Sequence, residues 1–281
     1  MKIGINLLLW TGEAHESDIA TIEQIAKWGY EGVEFPMFAL DKSPWPLLGK
    51  ACDDLGLGRT AVAVLPEGAN LIGEDAAERL AAVDFLKGCV DQCHAAGMDA
   101  LVGPLYSPVG RLVGRGRTEE EWDRAVAGMT QVGEYAGTGA VQLAVEALNR
   151  FETYFLNGQA DAARFVDDVN LGNVGILYDS FHANIEEKNP MAAVRESGPC
   201  IKHVHVSAND RATPGEDHVP HAETFRALKD VGYDDWLTIE AFGGWIPELA
   251  GATCIWRQMA PGPEHVAREG LRFVRETWAA V

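Results

Sequence analysis

The chain has 281 residues, 47% of them apolar, which is enough for one large domain with a substantial core. Its 42 acidic side chains outnumber the 23 basic ones, and the formal charge of −19 argues against binding to the phosphate backbone of a nucleic acid. No apolar run is long enough to span a bilayer, and residues 1–10 lack the pattern of a signal peptide. We therefore expect a cytoplasmic protein with reduced cysteines whose ligand is a small molecule.

Short apolar runs alternate with segments of helical periodicity along the whole chain. The predicted strands cover residues 2–10, 31–35, 60–65, 100–104, 141–146, 174–179, 201–206 and 236–240. The predicted helices cover residues 17–28, 75–96, 159–169, 190–196, 221–231 and 264–278, with one more ending near residue 57 and another beginning after residue 118. Ser17 is predicted to cap the first helix, and Gly29 to end it. Thr118 and Glu121 have the spacing of a capping box.

Eight strands that alternate with eight helical segments predict parallel βαβ units. Eight such units favour an α/β fold of the closed (β/α)8 type, a TIM barrel, with a single domain over residues 1–281. The rival fold is an open doubly wound sheet, which usually has a glycine-rich phosphate-binding turn directly after its first strand. The turn at residues 11–13 has one glycine and therefore lacks a dinucleotide fingerprint.

The last four predicted strands each end in a side chain that can bind a metal. These side chains are Glu146, Asp179, His205 and Glu240. In such a barrel, the ends of consecutive strands lie side by side at the carboxyl face, where active sites are built. Three carboxylates repel one another there unless a cation lies among them, and a mixed oxygen and nitrogen set suits Mn²⁺, Co²⁺ or Mg²⁺. Taken singly, Asp179 is also typical of a helix cap, and His205 of a hydrogen-bonded core histidine.

Other side chains near these strand ends are candidates for contacts with a polyol. The polar candidates are Glu152, His182 and Arg211, each of which lies in a loop that follows one of the proposed metal ligands. The aromatic candidates for apolar walls are Trp10, Tyr106 and Phe242. For each aromatic residue, a place in the core or at the rim of the barrel is an equally good interpretation.

Two further polar residues fall on predicted strands. Glu34 ends the second strand, and we expect it to form a structural ion pair rather than to bind the metal. His203 shares a face of its strand with His205, because side chains two residues apart point the same way. We therefore expect His203 to reach the site from a lower layer of the barrel.

Four stretches of the sequence resemble the D-tagatose/D-psicose (D-allulose) 3-epimerase family, which belongs to the xylose-isomerase-like TIM barrels. They are EALNRFETYFLN from Glu146, YDSFHANIEE from Tyr178, HVHVSANDRATPGEDHV from His203 and IEAF from Ile239. The similarity spans nearly the whole chain. The motifs ExxNRxE and DxFHxNIEE are specific to ketose 3-epimerases and their close relatives.

The resemblance implies a set of roles for the strand-end residues. One Mn²⁺ or Co²⁺ would be held by Glu146, Asp179, His205 and Glu240. The O1/O2 end of the sugar would be bound by Glu152, His182 and Arg211. The resemblance also implies a homodimer or homotetramer. One departure is visible, because Ala208 stands where many family members have a glutamate three residues after the metal-binding histidine.

Epimerisation at C3 of a ketose removes a weakly acidic proton next to the carbonyl and returns a proton to the opposite face, through an enediolate. A divalent ion polarises the carbonyl, while two carboxylates act as base and acid. Glu146 and Glu240 suit these roles because they come from the fifth and eighth strands. We expect free ketohexoses or ketopentoses as substrates, since residues 241–255 contain no lysine or arginine that would bind a phosphate.

Other functions fit part of the same pattern. An aldose–ketose isomerase of the hydroxypyruvate isomerase type shares the enediolate, and an inosose dehydratase-like lyase uses similar acids to expel water. A phosphodiesterase that repairs abasic DNA would need more metal ligands and a basic face. A non-catalytic sugar-binding protein would not need a full set of acids and metal ligands. The stereochemistry of the product distinguishes the epimerase from its enzymatic rivals.

Overall fold

A closed parallel barrel determines where the strand ends lie. The computed structural model describes residues 1–281, and its strands pair in the order β1 to β8, with β8 closing on β1. The strands are β1 Lys2–Asn6, β2 Gly32–Pro36, β3 Gly58–Val62, β4 Ala100–Gly103, β5 Gln142–Glu146, β6 Val174–Asp179, β7 Ile201–Val206 and β8 Trp236–Ile239. The prediction of an α/β TIM barrel is confirmed.

Helices surround the barrel. They are α1 Ile19–Trp28, α2 Trp45–Leu55, α3 Ala76–Ala96, α4 Glu119–Gly137, α5 Gln159–Val169, α6 Ser180–Glu186, α7 Pro190–Ser197, α8 His221–Asp230, α9 Pro247–Ala252 and α10 Pro263–Ala280. Short 3₁₀ helices cover Leu7–Leu9, Glu16–Asp18 and Gly198–Cys200. No helix combines the length and the apolar character that a membrane crossing requires.

Most predicted boundaries lie close to the observed ones, and those of α5, β6 and β7 agree fully. Gly29 ends α1 in the left-handed conformation, and Thr118 and Glu121 form the expected capping box at the start of α4. The first strand is shorter than predicted. It ends at Asn6, whose side chain accepts a hydrogen bond from the backbone N–H of Leu8 and so starts a 3₁₀ turn.

One local prediction is wrong, and two short helices were not predicted. Ser17 does not cap α1, because a 3₁₀ turn precedes that helix and Asp18 accepts the N–H of His15 instead. Two short helices, α6 and α9, lie in the loops after β6 and β8 and were not predicted. Both are too short to display a clear helical period, and the apolar spacing therefore gave no signal for either.

Strand register places polar side chains in the interior of the barrel. Asp179 of β6 is the register partner of His205 of β7. On the other side of the barrel, Glu34 of β2 is paired with Asn6 of β1 and Thr60 of β3. Side chains alternate along a strand, and these residues therefore face the axis while their neighbours pack outward against the helices.

The opposite, amino-terminal end of the barrel is filled by one aromatic side chain. The ring of Trp236 in β8 is buried and lies against Gly4, Gly32 and Gly58 of the first three strands. A Cβ atom on Gly32 would lie 2.3 Å from this ring and 2.7 Å from the carbonyl oxygen of Gly58. Glycine is therefore required at this position by close packing rather than by an unusual backbone angle.

We predict that Gly32→Ala destabilises the barrel by about 1–3 kcal/mol, the usual cost of overpacking a well-filled core. The matched control is Gly172→Ala, because a Cβ at Gly172 has no heavy atom within 4 Å. That control should change the free energy of unfolding by less than about 0.5 kcal/mol. Urea unfolding followed by circular dichroism measures both, and equal stability of the two variants would contradict this account of the barrel floor.

Candidate metal centre and active site

Four side chains from consecutive strand ends converge at the carboxyl face of the barrel. Potential ligand atoms of Glu146, Asp179, His205 and Glu240 all lie within 4.8 Å of one another. All four side chains are buried, with exposed fractions between 0% and 5%. The structure thus brings together the four residues that the strand-end pattern selected.

The imidazole of His205 presents different partners to its two nitrogens. Nε2 lies 2.7 Å from Oε1 of Glu34, below the cluster. Nδ1 lies 3.4 Å from Oε1 of Glu240 and 4.0 Å from Oδ2 of Asp179, yet it has no hydrogen-bond partner although it is buried. Buried polar atoms are rarely left unpaired, and an exception of this kind fits an atom that ligates a metal.

Asp179 uses its two oxygens for separate tasks. Oδ1 accepts a hydrogen bond from the backbone N–H of Phe181 at 2.6 Å and thereby caps α6. Oδ2 accepts a hydrogen bond from Nη1 of Arg211 at 2.9 Å, on the side of the cluster. The two interpretations of Asp179 made from the sequence, helix cap and member of the site, therefore both describe this residue.

Arg211 is the principal cation of the cluster. Its Nη1 donates to Asp179 and, at 2.8 Å, to Oε2 of Glu240. The guanidinium carbon lies 3.8 Å from the ring centre of Phe181 and 5.2 Å from that of Phe242, which restricts the side chain to one plane. The backbone of Arg211 has a φ of 63°, a conformation that is costly for a residue with a side chain.

The two glutamates of the cluster lie in different electrostatic surroundings. Burial, followed by the charges of Glu240 and Asp179, raises the pKa of Glu146 well above its usual value. Burial also acts to raise the pKa of Glu240, but His205 and Arg211 more than offset it and lower that pKa to about 2. Two carboxyl groups with opposite proton affinities are typical of acid/base pairs.

A hydrogen-bonded chain joins the proposed polar contacts with the sugar. The backbone N–H of Asn149 donates to Nδ1 of His182 at 3.0 Å, and the side-chain amide of Asn149 donates to Oε1 of Glu152 at 2.7 Å. Nε2 of His182 lies 3.0 Å from Nη2 of Arg211 and 3.5 Å from Oε1 of Glu146. Burial, with a smaller effect of Arg211, lowers the pKa of His182 to about 3, which keeps the ring neutral.

The three aromatic candidates have different surroundings. Phe242 is buried and lies beside Arg211, at the edge of the cluster. Tyr106 is fully buried and packs on Phe155, and burial together with the charge of Glu146 raises the pKa of its hydroxyl. Trp10 is half-buried and stacks on Trp28 of α1, with ring centres 6.3 Å apart. Phe242 and Tyr106 therefore lie beside the cluster. Trp10 instead packs against the outer layer of helices, through Trp28 of α1.

Sequence reasoning gave no role to Asn149, although this residue joins Glu152 to His182. The signal was its place inside the ExxNRxE motif, between two acidic residues. The expected ion pair of Glu34 is present, since its carboxylate lies 2.9 Å from Nε2 of His203 and 2.7 Å from Nε2 of His205. His203 therefore reaches the site through Glu34, from the layer below.

The residues fit a divalent metal ion. Three carboxylates and one imidazole nitrogen form a hard, mixed donor set, and the nitrogen that faces the carboxylates lacks any other partner. Thiolates are absent from this donor set, which disfavours soft metals. A cation at this position would also relieve the repulsion among the carboxylates that raises the pKa of Glu146.

Comparisons with known proteins identify the family of this chain. The model of the xylose isomerase-like TIM barrel family matches residues 22–277. A probable ketose 3-epimerase of Synechocystis sp. is 32% identical over 99% of this chain and 97% of the relative. A D-psicose 3-epimerase of Agrobacterium fabrum is 29% identical over 98% of each chain.

A solved structure shares the same fold over its full length. The D-allulose 3-epimerase from Methylomonas sp., crystallised in complex with D-allulose, superposes with a TM-score of 0.93 at 25% identity. The match covers 99% of this chain and 97% of the crystallised one. The chain therefore belongs to the D-tagatose/D-psicose 3-epimerase family of xylose isomerase-like TIM barrels.

Proposed function

We propose that this protein is a metal-dependent ketose 3-epimerase that inverts C3 of a free ketohexose or ketopentose. One observation carries the proposal: Glu146 and Glu240, from strand ends separated by β6 and β7, contribute to one buried cluster of metal-ligating atoms. Relatives named for D-psicose and L-ribulose support a ketose as the substrate.

The metal would be held by Glu146, Asp179, His205 and Glu240. Oxygen donors with one imidazole favour Mn²⁺ or Co²⁺, and Mg²⁺ also suits such a set. When bound, the ion supplies Lewis-acid polarisation of the ketose carbonyl, which makes the neighbouring C–H more acidic.

Glu146 and Glu240 are the proposed acid/base pair. One carboxylate removes the proton from C3, and the resulting enediolate accepts a proton on its opposite face from the other carboxyl group. For each turnover one proton leaves C3 and one proton returns to it, so the sugar neither gains nor loses atoms. This division is supported by geometry, because the two glutamates come from different strand ends, after β5 and β8, and contribute atoms to the same buried cluster.

The remaining site residues are proposed to bind the sugar and to position it relative to Glu146 and Glu240. The imidazole of His182 and the guanidinium of Arg211, 3.0 Å apart, can hydrogen-bond hydroxyls near O1 and O2, and the carboxylate of Glu152 can accept from a hydroxyl. Asn149 keeps His182 and Glu152 in fixed relative positions. Proposed apolar walls are Phe242, Tyr106 and Trp10, of which Trp10 has the least direct support.

A free sugar suits the charge of this site better than a sugar phosphate does. The guanidinium of Arg211 is already paired with two carboxylates, Asp179 and Glu240. A phosphate would add two negative charges to a cluster in which the acids already outnumber the cations. The neutral hydroxyls of a ketose add no charge, and charge alone therefore selects against phosphorylated substrates.

Removal of divalent metal should abolish epimerisation. The carbonyl would lose its polarisation, while the carboxylates would be left to repel one another. Protein dialysed against a chelator is compared with protein passed through the same buffers without it, and C3 epimers are separated by chromatography. Addition of Mn²⁺ or Co²⁺ should restore turnover. Full activity in protein whose measured metal content is negligible would refute metal dependence.

Glu146→Gln and Glu240→Gln should each reduce turnover by at least about 10²-fold, because each removes one partner in proton transfer. The readout is exchange of the C3 hydrogen in D₂O together with epimer formation. Glu121→Gln is the matched control, since Glu121 is 5% exposed and also binds an arginine, Arg115, but contributes no atom to the cluster. The control should keep wild-type turnover, and turnover that persists in both site variants would remove this pair from the mechanism.

The products formed from D-fructose, D-allulose, D-tagatose and L-ribulose should distinguish the epimerase from its rivals. A 3-epimerase gives the C3 epimer with one deuterium incorporated at C3 in D₂O. An aldose–ketose isomerase would give an aldose, with deuterium at C1 or C2. A lyase would release water and give a dehydrated product. Either of the latter results would replace the proposed reaction while retaining the proposed metal site.

A further inference from the structure

Below the metal-ligating cluster, the carboxylate of Glu34 lies at the centre of a second, fully buried set of polar residues. Its Oε1 accepts a hydrogen bond from Nδ2 of Asn6 at 2.9 Å and lies 2.7 Å from Nε2 of His205. Its Oε2 accepts a hydrogen bond from Oγ1 of Thr60 at 2.8 Å and lies 2.9 Å from Nε2 of His203. Glu34 itself is 0% exposed.

Three hydrogen bonds hold this carboxylate, from Asn6 and His205 at Oε1 and from Thr60 at Oε2. Nε2 of His203 lies 2.9 Å from Oε2 but makes no hydrogen bond to it. The register of β1, β2 and β3 places Asn6 and Thr60 on either side of Glu34. The side chains of Asn6 and Thr60 are both buried, and each donates its hydrogen bond to Glu34.

The hydrogen bond between Glu34 and His205 determines the tautomer of that imidazole. A carboxylate only accepts hydrogen bonds, so Nε2 of His205 must carry a proton. In a neutral ring the lone pair then lies on Nδ1, the buried nitrogen that faces Glu240 and Asp179 without a hydrogen-bond partner. The geometry points to Glu34 as a positioning residue that fixes the tautomer and the ring plane of His205, so that Nδ1 is presented to the metal.

The inference rests on the proposed function, because it assigns Glu34 to the support of that metal site. It differs from the alternative in which Glu34, His203 and His205 bind a second ion, a possibility raised by the closeness of their ligand atoms. A second ion would have to compete with the hydrogen bonds that Glu34 already accepts from Asn6, Thr60 and His205. It would also lie in a layer where all three residues are 0% exposed.

Glu34→Gln is the direct test. Glutamine has nearly the same shape, but an NH₂ group, which donates, replaces one of the two acceptor oxygens. An imidazole N–H beside that group loses its acceptor, so the ring must change its tautomer or turn away. We expect the dissociation constant for Mn²⁺, measured by titration with detection of free Mn²⁺ by electron paramagnetic resonance, to rise about 10- to 100-fold. Binding is measured without substrate, and the result therefore does not depend on turnover.

Glu121→Gln again provides the matched control. It makes the same chemical change in a buried carboxylate that accepts hydrogen bonds from Arg115 and Tyr154, away from the cluster. A merely structural role for Glu34 would lower the unfolding temperature in both variants and leave their Mn²⁺ affinity unchanged. Equal Mn²⁺ affinity of Glu34→Gln and wild type would therefore overturn the inference, as would two bound ions per wild-type chain.

Nuclear magnetic resonance of the wild-type protein gives a second readout that needs no variant to fold. In Mg²⁺-loaded protein labelled with ¹⁵N on histidine, long-range ¹H–¹⁵N spectra should show His205 protonated on Nε2 alone. A proton on Nδ1 would overturn the inference. Wild-type protein that binds no divalent ion at all would instead refute the proposed metal site, so the two failures are distinguishable.

Discussion

The burial of three carboxylates beside one another is the constraint on which the candidate site depends. Two unit charges about 4 Å apart interact by about 4 kcal/mol at an effective dielectric constant near 20, so the repulsion within the cluster is large compared with net protein stability. The protein offsets part of it with Arg211, which donates to Asp179 and Glu240. Glu146 has no comparable partner. Burial and the charges of Glu240 and Asp179 raise its pKa, because the repulsion at this residue is not offset. A divalent ion bound among the carboxylates would offset this repulsion in place of a proton on Glu146.

Three of the four proposed ligands, Asp179, His205 and Glu240, are held by an atom that does not face the proposed metal position. Oδ1 of Asp179 caps α6 while Oδ2 faces the cluster, and Nε2 of His205 binds Glu34 while Nδ1 faces the cluster. In Glu240, Arg211 contacts Oε2, whereas Oε1 lies 3.4 Å from the imidazole. Side chains with this division are fixed before any ligand arrives, which reduces the conformational entropy lost on binding.

The sequence alone was sufficient for the fold and for the cluster because both depend on order along the chain. Once eight strands are known to alternate with helices, closure of the barrel makes the ends of β5 to β8 neighbours, whatever the detailed packing. The supporting contacts depend instead on sheet register and rotamers. Glu34 lies on β2, far from His205 in sequence, and only the closed barrel brings the two within 2.7 Å. The same holds for Asn149, whose bridge from Glu152 to His182 depends on how one loop folds over the next strand end.

The departure at Ala208 can be understood from the same geometry. Ala208 is fully buried, and its backbone carbonyl accepts the N–H of Arg211, which supports the strained backbone of that residue. Its methyl group offers no polar contact, whereas the hydroxyl of the preceding residue, Ser207, lies 3.4 Å from Oδ2 of Asp179 and 3.5 Å from Nη1 of Arg211. A glutamate here would add a fourth acid beside the cluster. Alanine leaves the four proposed ligands in place, and in the proposed enzyme we expect this position to affect the choice of ketose rather than the binding of metal.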